Sequence, residues 1–120
     1  VRNPEYAAGW GHNGPFESVR IEDGSAGSIE HARAALAKLI ATHGDESWLI
    51  DPRLVRRDGP NHPWETVEDP AQDTLKRAFA EIARAGHRIG PGVIQGNDLY
   101  RIFSNALRQI GGDQNPEEFD

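Results

Sequence analysis

A chain of 120 residues with 37% hydrophobic residues is the size of one domain and has enough apolar side chains to bury a core. It has no cysteine, which excludes disulfide frameworks, thiolate metal sites and a cysteine nucleophile, and its formal charge of -6 argues against a general affinity for nucleic acid or anionic lipid. No run of about 18 apolar residues offers a membrane span and no secretory leader opens the chain, so the expectation is a cytoplasmic protein. The absence of every methionine leaves open that the chain is trimmed or cut from something longer.

Residues 1–15, VRNPEYAAGWGHNGP, place proline, glycine and asparagine at close intervals without a usable period and read as an extended N-terminal arm. Val19 and Ile21 then alternate with Ser18, Arg20 and Glu22 ahead of an Asp23-Gly24 pair, the pattern of a half-buried strand ending in a turn. From Ser28, a capping residue, the period becomes helical through Ile29, Ala32, Leu36, Leu39 and Ile40, with Gly44 as a left-handed exit. Residues 45–59, DESWLIDPRLVRRDG, are ambiguous: a short helix or a strand followed by a turn, because Pro52 disfavours helical geometry at Asp51.

The next stretch, PNHPWETVEDP, reads as loop with room for a brief edge strand at Thr66, Val67 and Glu68. Asp69, Pro70 and Gln72 signal a helix start, with Gln72 at the capping-box position. Leu75, Ala78, Phe79 and Ile82 form that helix's apolar stripe, and Gly86 ends it. Arg88-Ile89 and Val93-Ile94 read as two extended pieces joined by Gly-Pro-Gly. A last helix begins near Asn97, carries Leu99, Ile102, Phe103, Ala106, Leu107 and Ile110, and stops at Gly111 and Gly112, leaving residues 113–120 as an acidic disordered tail. The order predicts a small, mostly helical α+β single domain over residues 16–112 with two or three short strands; an all-α bundle is the alternative.

The glycines at 90, 92 and 96 invite comparison with a phosphate-binding loop, but the supporting parts are missing. Asn97 stands where a lysine belongs, and Asp98 puts a negative charge at the helix start, where it would repel a phosphate. The glycines read as the shape of a connection. Serine and threonine show no nucleophile setting, and the histidines, His12, His31, His43, His62 and His87, lack the spacing of a metal site. No cofactor and no metal are therefore expected.

Two local features suggest a site. In RDGPNHPWETVED, residues 57–69, His62 lies among Asp58, Glu65 and Glu68 and would make a general base if a pocket brought a carboxylate within reach. Trp64 beside it is either a contact residue on a proline-stiffened loop or a lid folded onto the core. The second feature is charge segregation: residues 74–110 carry six basic residues, Lys76, Arg77, Arg84, Arg88, Arg101 and Arg108, against Glu81 and Asp98. Arg77 and Arg84, like Arg101 and Arg108, are seven apart and return to one helix face, so two packed helices could present a basic stripe.

No family resemblance emerges from these motifs. The function expected is a non-catalytic interaction or regulatory module that binds an acidic protein segment or a small anion through Arg77, Arg84, Arg88, Arg101, Arg108 and Trp64. Two alternatives stay open: a small enzyme or accessory subunit with an acid-base site at His62, and, more weakly, a helical nucleic-acid binder. Membrane binding is not expected, and the oligomeric state is undetermined.

Overall fold

Ala7 and Ala8 are both fully buried, because the segment expected to be a free arm is an inner strand. In the computed structural model, which describes residues 4–11, 19–44, 46–89 (85–89 through the backbone) and 98–111, strand β1 (Glu5–Trp10) pairs with β2 (Arg20–Ile21) on one side and β3 (Arg53–Arg57) on the other. The short strand β4 (Glu65–Thr66) completes a four-stranded antiparallel sheet in the order β2-β1-β3-β4. Helices α1 (Ile29–His43), α2 (Pro70–Ile89) and α3 (Asp98–Gln109) complete a small α+β domain. The sheet has more strands than the two or three expected, because the segment expected as an arm holds β1 and the ambiguous stretch before Gly59 holds β3, the two inner strands. The expected connection at residues 90–97 and the expected tail at 113–120 lie outside the described residues.

The core is a sandwich of one sheet face and the helices. Ala8 and Leu54, directly opposed on β1 and β3, meet Leu36, Leu39 and Ile40 of α1, Leu75, Phe79 and Ile82 of α2, and Phe103, Leu107 and Ile110 at α3. Each such bulky side chain contributes about 1.5–3 kcal/mol on burial, which outweighs the ~1 kcal/mol that a glycine costs inside a helix. Helix α2 does not stop at Gly86 as its sequence suggests but runs through it to Ile89, so Arg88 and Ile89 are helical rather than extended. Among the described residues no helix is long and apolar enough to cross a membrane.

Local chemistry sets the ends. Ser28 accepts the His31 N–H at 3.1 Å and caps α1. Gly44 ends it in right-handed geometry (φ −62°) rather than the left-handed exit expected, with its N–H still bonded to the Ile40 carbonyl at 2.8 Å. Asp69 caps α2 by accepting the Ala71 N–H at 2.8 Å, and its second oxygen accepts the Gly111 N–H at 3.1 Å beyond α3. Arg33 of α1 donates to the Ile110 carbonyl. The end of α3 is thus held by Arg33 of α1 and by Asp69, the residue that caps α2.

The opposite sheet face is built from small and unusual residues. Gly9 lies so close to Val19 and Val55 that an added Cβ would stand 2.8 Å and 3.3 Å from their methyl groups. Arg53, only 3% exposed, is satisfied by the Gly11 carbonyl at 2.9 Å, the Asp51 carbonyl at 2.7 Å and the Thr66 hydroxyl at 2.9 Å. Burial pushes its guanidinium below the usual arginine value, opposed by the charge of Asp51. Asp51 delivers its carbonyl from a left-handed conformation (φ 56°) immediately before Pro52.

Candidate functional site

Side chains alternate across a strand, so Arg56 shares the helix-side face with Leu54, and its partners in register are Tyr6 on β1 and Glu65 on β4. The Ala8–Leu54 row lies under the helices as core; the Tyr6–Arg56–Glu65 row lies one step further along, where Arg56 and Glu65 are exposed. There the sheet outruns the helical layer, and a cleft of about 560 Å³ opens between this row, the 58–69 loop, Ile29 at the start of α1 and Gly111 beyond α3. That volume falls within the range of small-ligand pockets.

His62 lines the cleft together with Asp58, Glu65, Glu68 and Asp69. The concavity required for an acid-base site is present, yet among the described residues the His62 ring makes no hydrogen bond to a carboxylate; its backbone N–H bonds the Gly59 carbonyl at 3.1 Å. Arg56 pairs with Asp58 at 3.0 Å instead of its cross-strand neighbour Glu65. Asp69 is occupied by its two backbone bonds.

Trp64 does not join the core. It is half-buried under the Arg57 guanidinium, which lies 4.4 Å from the ring centroid and also donates to Glu5 at 2.7 Å. Arg57 sits on the face opposite Arg56, so Trp64 packs where the helices do not reach.

On the helices, Arg77, Arg84, Arg101 and Arg108 are all exposed. Arg84 pairs with Glu81 at 2.5 Å, Arg101 bonds Asp98 and Arg108 bonds Asn105, each a partner one turn back on the same helix. Arg77 has no ion pair among the described residues. Arg88 lies in the part of α2 described through its backbone. In α3 the apolar stripe is narrower than the sequence suggests, since Ile102 is 47% exposed while Phe103, Ala106 and Leu107 are buried.

Among the described residues no group of three His, Asp or Glu is placed to hold a metal ion. Tyr6, Arg56 and their register with Glu65 escaped sequence reasoning, because no local signal links positions 50 residues apart. Fold and site together define a small α+β domain with a polar cleft at one end of its sheet. Comparison with protein-family models, curated proteins and solved structures gives no match in any of the three.

Proposed function

We propose that this domain is a non-catalytic interaction module that contacts an acidic protein segment or a small anion through the arginine-bearing sides of α2 and α3. The observation that supports this most directly is the exposure of Arg77, Arg84, Arg101 and Arg108 on α2 and α3, with Arg77 free of any ion pair among the described residues. The acceptors that hold the other three are exposed neighbours on the same helix. Such pairs are worth about 0.3–0.5 kcal/mol, little enough for a partner's carboxylates to replace them. A cytoplasmic location belongs to the same proposal, and fractionation of the native protein tests it.

The test compares the full chain with a variant carrying Arg77→Ala, Arg84→Ala, Arg101→Ala and Arg108→Ala. Retention of the unaltered chain on immobilised poly-glutamate, weakening as salt is added, is expected to disappear in the variant while the melting profile is kept. Capture from native extract with mass spectrometry then identifies the partner. An unchanged set of partners and an unchanged salt response in the variant overturn the proposal.

One observation favours a second reading, an acid-base site: His62 lines a cleft that also contains four carboxylates. Fragment screening by nuclear magnetic resonance separates the two. Ligands that contact the His62 ring and are lost in His62→Ala, with poly-glutamate retention intact, support the cleft; fragments that ignore it remove this reading.

A further inference from the structure

At one end of the β1–β3 ladder the molecule contains a complete triad of cation, indole and carboxylate. Arg57 stacks over Trp64 at 4.4 Å while its Nε–H is held by Glu5 at 2.7 Å. At the other end an indole and a carboxylate again lie together, here bonded directly to each other and met by the His43 ring rather than by a lysine or arginine. Trp48 donates its Nε1–H to Glu46 Oε1 at 2.6 Å, and the second oxygen of Glu46 meets His43 Nδ1 at 2.7 Å. Among the described residues no lysine or arginine reaches Trp48 or Glu46.

The corner is built rather than loose. Trp10 packs against Trp48 in a T-shaped contact with ring centroids 5.5 Å apart, and the His43 ring lies 5.1 Å away. Leu49, next in the chain, is 3% exposed and anchors the segment in the core, while the Gly11 N–H bonds the Ile50 carbonyl at 2.6 Å. Even so, Trp48 remains 43% exposed and Ile50 40%. An indole fixed in this way loses little conformational freedom on binding.

We propose that the Trp48–Glu46 corner binds an arginine side chain presented by a partner protein, the guanidinium stacked on the indole and donating to the Glu46 carboxylate. This goes beyond the surface proposed on α2 and α3, from which it differs in place and in charge. The chemistry of the occupant follows from what the corner offers. The indole N–H is occupied, so an anion finds no donor on Trp48, whereas π-faces beside an ionised carboxylate complement a cation. The hydrogen bonds from His43 and Trp48 hold the Glu46 carboxyl below its usual value and keep it charged. A guanidinium suits the position better than an ammonium because it is planar, stacks on aromatic rings and is less strongly hydrated. Exposed Ile50, two residues on, gives the aliphatic stem a surface to lie against.

The test is a titration of the full chain with the peptide acetyl-Leu-Arg-Leu-amide, and with the same peptide carrying citrulline in place of arginine, followed by nuclear magnetic resonance at the Trp48 indole N–H and at the backbone amides of Leu49 and Ile50, which also report on Trp48→Ala. A saturable shift with the arginine peptide is expected, about tenfold weaker with citrulline, which keeps the shape and loses the charge. Trp48→Ala and Glu46→Gln should each weaken binding about fivefold or more with the rest of the spectrum, and poly-glutamate retention, unchanged. Equal affinity for the two peptides, undiminished binding in Glu46→Gln, or no saturable shift overturns the proposal. So does an indole shift that tracks protein concentration alone, which would assign the corner to a second copy of the chain.

Discussion

Gln72 of α2 grips the backbone of Leu54 on β3 from both sides: its Oε1 accepts the Leu54 N–H at 3.3 Å and its Nε2 donates to the Leu54 carbonyl at 2.9 Å. The same amide donates to the Val67 carbonyl at 3.2 Å. A side-chain amide thereby continues the hydrogen bonding of the sheet past β4 and ties the first turn of α2 to an inner strand. Gln72 sits at the capping-box position, but the backbone groups it satisfies are those of the sheet.

Replacing Gln72 with alanine leaves buried backbone groups of Leu54 without their side-chain partner, so a loss of about 3 kcal/mol is expected in chemical denaturation. Gln72→Glu should cost at least as much, because a carboxylate cannot donate to the two carbonyls. A loss below about 1 kcal/mol in Gln72→Ala would mean that water takes over the bonds.

Gly9→Ala should destabilise the sheet through overpacking. The new methyl would meet Val19 at 2.8 Å and the Arg20 carbonyl at 3.1 Å, and the carbonyl belongs to the paired strand, which cannot move without breaking the ladder. A cost of about 1–3 kcal/mol is expected, measured by thermal or denaturant unfolding. The double variant Gly9→Ala with Val19→Ala should recover only part of it, since the carbonyl contact persists.

Asp69 couples the start of α2 to the end of α3, and Asp69→Ala should remove both bonds at a cost of about 1–2 kcal/mol. The sharper readout is local: hydrogen exchange at Gly111 should accelerate relative to the core amides of α2. Gly111 also lines the cleft, so ligands of the cleft should bind more weakly in this variant. Exchange at Gly111 equal to that of the unaltered chain would show that Arg33 alone holds the end of α3.

The His43–Glu46–Trp48 bonds predict a pH dependence of defined sign. The folded state holds the Glu46 carboxyl below its usual value of 4.5, first through the hydrogen bond with His43 and then through that with Trp48. A depressed carboxylate contributes stability that is present above the unfolded value and is lost as pH falls through the folded one. The stability difference between the unaltered chain and Glu46→Gln should therefore be full near neutrality and shrink below about pH 4.5. Paired denaturation series from acid to neutral pH measure it; a difference that grows toward acid would contradict the assignment.

The helices were legible because each buries one side of a regular period. Leu75, Ala78, Phe79 and Ile82 announce α2, Ser28 and Asp69 announce the starts of α1 and α2, and all keep these roles in the fold. Of the inner strands, β1 was not legible and β3 only as one of two alternatives. Tyr6-Ala7-Ala8-Gly9 offers no alternation of polar and apolar residues, since small side chains fill both faces, and Arg53-Leu54-Val55-Arg56-Arg57 lies in a stretch that reads as either a short helix or a strand, its three arginines hiding that Arg53 is buried. Of the site, His62 and its carboxylates could be named from the chain, but not the cleft that collects them.

What the amino-acid order by itself determined is therefore the local part: where helices begin, which side of each is apolar, and that the arginines at 77, 84, 101 and 108 lie away from those stripes. Tertiary structure decided the rest, because strand register joins positions far apart in the chain, setting Tyr6 beside Arg56 and Arg56 beside Glu65. Pairing partners across a sheet are chosen by the burial of the whole face, a property no short window of residues contains.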